Sequence, residues 1–133
     1  MKKLASSELI EKAKSVLKPR KLTGNSYAGS VAAALQSKNG NLYLGVCIDV
    51  SSGMGFCAEH GAITAMITAG ESEISSIVAV GREDTIAPPC GRCREFMNQI
   101  DVSNFDNTDV ILGLEKVVKL RELLPYATHG LEE

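Results

Sequence analysis

The chain has no excess of positive charge: 14 lysines and arginines stand against 16 aspartates and glutamates, for a net charge of -2. A polynucleotide partner calls for a basic face, so no nucleic-acid polymer is expected among its partners. The densest basic run, Lys18-Pro19-Arg20-Lys21, reads as the solvated end of a helix. Long hydrophobic runs are missing too, since no apolar stretch approaches the roughly 18 residues of a membrane span. The opening Met1-Lys2-Lys3-Leu4 lacks the apolar core of a secretion signal. No membrane partner is expected, and the location implied is cytoplasmic. Cysteines stay reduced there, so the four in this chain point to metal or chemistry before disulfides. Internal repeats, low-complexity tracts and linkers are absent as well. Residues 1–133 are therefore expected to form one domain, large enough to bury a core. Hydrophobic residues at 44% and charged residues at 23% are ordinary for a globular protein.

Leu9, Ile10, Ala13 and Leu17 recur at helical spacing, with Ser6 or Ser7 available as a cap, and predict an amphipathic helix over about 7–18. A small, apolar strand is expected over 30–36. Lys38-Asn39-Gly40 then supplies the Asn-Gly signal of a tight hairpin, and 41–50 is the returning strand. A flexible loop, Ser51-Ser52-Gly53-Met54-Gly55, leads into a mostly buried helix over 57–69. Ile77-Val78-Ala79-Val80 marks a buried strand over 75–80. A loop over 82–89 precedes a second buried helix at 90–100, then a strand at 110–112 and a short helix at 120–124 that ends near Pro125. That order suggests one mixed sheet covered by helices.

The chemistry concentrates in Cys57-Ala58-Glu59 and Pro88-Pro89-Cys90-Gly91-Arg92-Cys93. Cys57 and Cys90 each fall at the start of a predicted helix, where free N–H groups and a partial positive charge stabilise a thiolate. Cys90 and Cys93 lie three residues apart and share one helical face. Three cysteine ligands hold Zn2+ with the fourth tetrahedral position open, the pattern of a catalytic centre. Water at that position would be activated by the metal. Glu59, two residues from a ligand, is placed to shuttle protons. Three thiolates leave the zinc site with a net charge of about -1, so something must draw charge from the sulfurs. Arg92 and His60 are the candidates beyond the helix ends.

Two other readings fit the spacing. Cys57, His60, Cys90 and Cys93 make a plausible closed structural zinc set, and thus a non-catalytic binding module. Against it, a chain of this length can fold without a metal staple, and Glu59 and the double proline are left unexplained. Cys90-Gly91-Arg92-Cys93 could also be a thioredoxin-like redox pair, but it lies late in the chain and has a third cysteine to match it. Cys47, inside a predicted strand, reads as a buried small hydrophobe, and His129 as exposed.

Together these residues resemble the cytidine deaminase family. Ala33-Ala34-Leu35 followed by Asn39-Gly40 is similar to that family's opening hairpin, and Glu122-Leu123-Leu124-Pro125 to its C-terminal element. The likeness runs from about residue 5 to about residue 126. It implies a three-layer α/β/α sandwich on a five-stranded mixed sheet and, for short three-cysteine members, a homotetramer, with a dimer as the alternative. It implies Cys57, Cys90 and Cys93 as Zn2+ ligands and Glu59 as proton shuttle. The backbone around Ala58 would contact the pyrimidine, and Pro88 or Pro89 would shape the pocket for the amine. The implied reaction is hydrolytic deamination of a cytosine nucleoside, a small molecule, to its uracil counterpart and ammonia.

Departures fall where the sugar would bind. An aromatic residue common to the family is replaced near Gly29, and the ribose-gripping Asn-x-Glu reads Cys47-Ile48-Asp49. Cys47 cannot offer the hydrogen bonds of an amide. His60 stands where the family commonly has arginine, and Arg92 within Cys-Gly-Arg-Cys is similar to blasticidin-S deaminase. A cytosine nucleoside antibiotic is accordingly the alternative substrate.

Overall fold

The centre of the protein is made of small side chains. In the computed structural model, which describes residues 2–127, the elements run in the order α1 (Ser6–Lys14), β1 (Arg20–Thr23), β2 (Ser26–Ser37), β3 (Leu42–Asp49), α2 (Ala58–Thr68) and β4 (Ile74–Val80). After these come α3 (Gly91–Ile100), α4 (Asn104–Asn107), β5 (Asp109–Gly113), β6 (Lys116–Lys119) and a 3-10 turn at Leu120–Leu123. Ala32, Ala33, Ala34 and Leu35 in β2 are fully buried on both faces. Successive strand residues point to opposite sides. Ala33 and Leu35 thus join Ala62, Ile63 and Met66 of α2 and Met97 of α3 in one core layer. Ala32 and Ala34 join Leu9, Ile10 and Ala13 of α1 in the other. The result is helix, sheet, helix.

The Asn39-Gly40 turn closes an antiparallel β2–β3 hairpin, with Gly40 at φ 92°. On its other side β2 pairs antiparallel with β4, β4 pairs parallel with β5, and β5 antiparallel with β6. β1 pairs with the first residues of β2, where Arg20 faces Ala28. The sheet therefore has six strands rather than five. The added strand is the basic run read as a helix end: α1 stops at Lys14, and Pro19, which holds the preceding residue out of the helical region, lets the chain leave extended. The N-cap of α1 is Ala5, whose N–H donates to the Glu8 carboxylate (2.8 Å), and not Ser6 or Ser7.

The helix at α2 was expected to be mostly buried, yet Thr64, Ala65, Ile67 and Thr68 are exposed. Its apolar residues run all round, so periodicity does not separate the inner face from the outer. α3 is amphipathic, with Cys93, Met97 and Asn98 inward. Gly45 of β3 lies directly under α2: a Cβ there would sit 2.2 Å from the Ala62 nitrogen and 2.6 Å from the Ala58 oxygen. This close approach of strand and helix backbones sets the depth of α2 and of Cys57 at its start. Among the described residues no helix is long and apolar enough to cross a membrane. His129 lies outside the described residues.

Candidate active site and metal centre

Two helix starts meet at one end of the sheet. Cys57 is the N-cap of α2 and Cys90 the N-cap of α3, both with extended backbone (φ -74°, ψ 159° and φ -70°, ψ 168°), so each sulfur stands at a helix end with free N–H groups. Cys93 follows in the first turn of α3 and is buried. The Cys57 and Cys90 sulfurs are 3.2 Å apart, and all three sulfurs lie within 4.8 Å of one another. Tetrahedral zinc with Zn–S bonds of about 2.3 Å requires sulfurs about 3.8 Å apart, so the trio fits that ion. Burial, and then the neighbouring Cys90 thiol, push Cys57 up to about 11. Burial pushes Cys93 up further, helped by the Glu59 charge. At Cys90 burial again opposes ionisation, but the Cys93 and Arg92 backbone N–H groups and the adjacent thiols bring the net value below that of an ordinary thiol. Three sulfurs this close resist full ionisation on their own, and a divalent cation among them would offset the repulsion while displacing the protons.

Glu59 is 4% exposed and is not among the three converging metal-ligand candidates. Burial raises its carboxyl above the usual range, partly countered by its own backbone N–H and by the Cys93 thiol, whose sulfur is 3.9 Å from Oε1. The His60 ring stacks on Phe96 (4.5 Å, 7°) and tilts against Phe56 (5.2 Å). Its Nδ1 is buried without a partner, and burial, with the Arg92 charge second, lowers its basicity. His60 therefore lies outside the sulfur cluster. The Arg92 guanidinium donates to the Gly55 carbonyl (3.5 Å) rather than to a sulfur, and it lines the cavity.

That cavity, about 410 Å³, falls in the usual range for small-molecule pockets. Cys57, Ala58, Glu59 and Cys90 line its sulfur end, and Cys47, Asp49 and Ser30 its far end. Pro88 is on the wall. Pro89 is not: it is turned inward and buried, and its carbonyl accepts from Arg94 Nε (2.8 Å), whose Nη1 also donates to the Leu123 carbonyl (3.1 Å). At the far end the Cys47 sulfur is 3.2 Å from Ser30 Oγ, accepts the Val31 N–H (3.3 Å), and lies 3.9 Å from Asp49 Oδ2. Sequence reasoning passed over Ser30, Phe56 and Arg94. For Ser30 a signal existed, a hydroxyl directly before the apolar run Val31 to Leu35. For Arg94 there was none, because its two acceptors are backbone carbonyls far apart in sequence.

No family model matches the chain. A cytidine deaminase of Aliivibrio fischeri is 37% identical over 105 residues, covering 76% of this chain but 31% of that protein. The chain thus spans about a third of the length of this relative. A cytidine deaminase of Halalkalibacterium halodurans is 33% identical over 102 residues, 73% of this chain and 75% of the relative. Among solved structures, the cytidine deaminase of Burkholderia pseudomallei superposes with a TM-score of 0.73 at 27% identity, covering 94% of this chain and all of that one. A shared fold and this degree of identity along three quarters of a relative lead to one assignment: the chain belongs to the cytidine deaminase family.

Proposed function

We propose that the site binds Zn2+ through Cys57, Cys90 and Cys93 and hydrolytically deaminates a cytosine nucleoside, giving the uracil nucleoside and ammonia. The observation that carries this reading is the convergence of three sulfurs beside a buried carboxylate at the end of one pocket. Zinc held by Cys57, Cys90 and Cys93 would supply the Lewis acidity that makes water a nucleophile near neutral pH. Glu59 accepts the proton that the attacking water gives up and delivers it to the ring nitrogen. A second proton follows the same path to the departing amine. The water oxygen ends as the uracil carbonyl, and the nitrogen leaves as ammonia. The burial that raises Glu59 suits it to hold a proton between these transfers. The backbone at Ala58 holds the pyrimidine against the sulfur end, and Pro88 takes the wall position near the amine.

The helix starts at Cys57 and Cys90, with the Arg92 N–H, draw charge from the sulfurs. A closed zinc module with His60 as fourth ligand finds no support, because that ring is held between two phenylalanines. The sugar end supports a substrate other than plain cytidine. The Cys47 thiol is already engaged by Ser30 and Val31, which leaves Asp49 as the acceptor for a sugar hydroxyl. Blasticidin S is the alternative substrate within this class. The exposed apolar face of α2, with Ile67 at 44% exposure, supports self-association as a homotetramer, or a dimer as the smaller assembly. A cytoplasmic location, where thiol ligands stay reduced, goes with this reading. The test is an ultraviolet deamination screen of the zinc-loaded protein over cytosine, cytidine, deoxycytidine, substituted cytidines and blasticidin S. Turnover of at least one is expected, and absence of turnover on all of them overturns the proposal.

A further inference from the structure

The catalytic pocket does not stop at its sugar end. Ser30 and Asp49 also line a second cavity, about 430 Å³, whose other walls include Arg20, Lys21, Tyr27 and Arg82. The two cavities adjoin at those shared residues. The cause is local. β2 leaves its register with β3 between Ala28 and Ala32, and Gly29 takes a left-handed φ of 79°. A Cβ on Gly29 would lie 2.2 Å from the Lys18 oxygen and 3.2 Å from Arg20 Nη1. Only glycine allows the segment before β1 to cross here. The crossing is fastened by the Lys18 N–H to the Gly29 carbonyl (3.1 Å) and by Arg20 Nη1 to the Lys18 carbonyl (3.2 Å). It carries Arg20 and Lys21 to the mouth of the pocket, and Arg82, just beyond β4, comes to the same groove.

Charge is concentrated at this place. Three cations face one carboxylate, Asp49, in a chain whose net charge is -2. Among the described residues five cations form ion pairs, and Arg20, Lys21 and Arg82 are among the nine that do not. An arginine outside any ion pair beside a substrate pocket, as Arg82 is, matches the oxygens of phosphate or carboxylate, which a guanidinium grips with two parallel hydrogen bonds. The groove lies past the sugar end, on the side opposite the sulfurs, so a group seated there is attached to the sugar and not to the pyrimidine. Resting on the deaminase reading and extending it, we infer that the preferred substrate is a cytosine nucleoside whose sugar bears an anionic group, held by Arg20, Lys21 and Arg82 while Asp49 accepts from a sugar hydroxyl.

The test compares kcat/KM on the zinc-loaded protein for cytidine, cytidine 5′-monophosphate, the 5′-carboxylate of cytidine and a short oligocytidylate. At least one anionic monomer should exceed cytidine by about tenfold or more, chiefly through KM, with the margin shrinking as salt screens the groove. The better of the two identifies the anion. Lys21→Gln combined with Arg82→Gln should reduce that preference about tenfold, and Arg82→Lys, which keeps the charge, should restore part of it. Calorimetric binding of uridine 5′-monophosphate against uridine reads the groove without turnover, and the phosphate should tighten binding in the wild type but not in the double variant. Equal or better use of cytidine together with equal binding of the two uridines overturns the inference. So does a preference for the oligomer, which would make the groove a polymer track. Failure of every compound to react, with tighter binding of the phosphate intact, would instead overturn the deaminase reading and leave the groove standing.

Discussion

The two ends of the β2–β3 hairpin both carry polar residues and use them in opposite ways. At the turn end the hairpin's own polar side chains are matched inside the protein. The Glu71 carboxylate accepts from Asn39 Nδ2 (3.0 Å), Asn41 Nδ2 (2.8 Å) and the Tyr43 hydroxyl (2.6 Å). Gln36 accepts the Leu4 N–H (2.7 Å) and donates to the Lys2 and Gly40 carbonyls (2.9 and 3.2 Å). At the other end the ladder breaks at Gly29, and Asp49, Lys21 and Arg82 face open space. A saturated network rigidifies the fold, whereas a polar group left facing a cavity is available to something that arrives. The hairpin thus joins an anchor to a binding surface through one long strand.

That contrast can be broken most severely at the cysteine end of the pocket. Glu59→Gln should lower turnover by at least about 10²–10⁴-fold while zinc, measured by metal analysis of the purified protein, stays bound. Near-normal turnover or loss of zinc would show that Glu59 has another job. Cys57→Ala, Cys90→Ala and Cys93→Ala should each lose tightly bound zinc, and Cys47→Ala should keep it. Equal loss in the Cys47 variant would mean a different ligand set. A milder intervention sharpens the far end. Cys47→Asn with Asp49→Glu restores an amide and a longer carboxylate, and should raise kcat/KM for cytidine. If the wild type already works on cytidine in the usual enzyme range of about 10⁴–10⁸ M⁻¹s⁻¹, and the double change adds nothing, the two positions are neutral.

The smallest effect belongs to the anchor. Hydrogen bonds from Tyr43 first, then Asn41, Ser37 and Asn39, hold the Glu71 carboxyl down at about 2, below its ordinary 4.5. A depressed carboxyl contributes stability that is complete above its unfolded value and is lost as pH falls from about 4.5 toward about 2. Glu71→Gln should therefore narrow the gap between urea midpoints measured at about pH 7 and about pH 3. An unchanged gap would show that acid sensitivity arises elsewhere.

Much of this arrangement was legible in the sequence because it is local. Asn39-Gly40 specifies its own turn. Cys57-x-Glu59 and Cys90-x-x-Cys93 encode their mutual placement through the helices they begin, and the observed bounds of α2 and α3 lie within a residue of the expected ones. What escaped depends on partners distant in the chain. β1 is a strand because the bulged start of β2 pairs with it, and Arg20-Lys21 alone reads as a charged surface. β6 has only four residues, two of them lysine, and pairs through a hairpin with β5. Nothing in Pro88-Pro89 says which ring faces inward, since an Arg94 hydrogen bond to the second carbonyl accompanies that choice. The outer face of α2 is as apolar as its inner one, so burial there is undetermined without the rest of the fold.

Gly45 carries a consequence for tolerance to change. Most contacts between a helix and a sheet are mediated by side chains, whose volumes can be exchanged and repacked. Between β3 and the first turn of α2 there is no such shim, because main chain rests on main chain. The reach of Cys57 toward the loop bearing Cys90 is therefore referenced to the sheet itself. The surrounding alanines and aliphatic residues can be remodelled while that datum stays put, but any side chain at Gly45 lifts the helix and carries the first sulfur away from the other two.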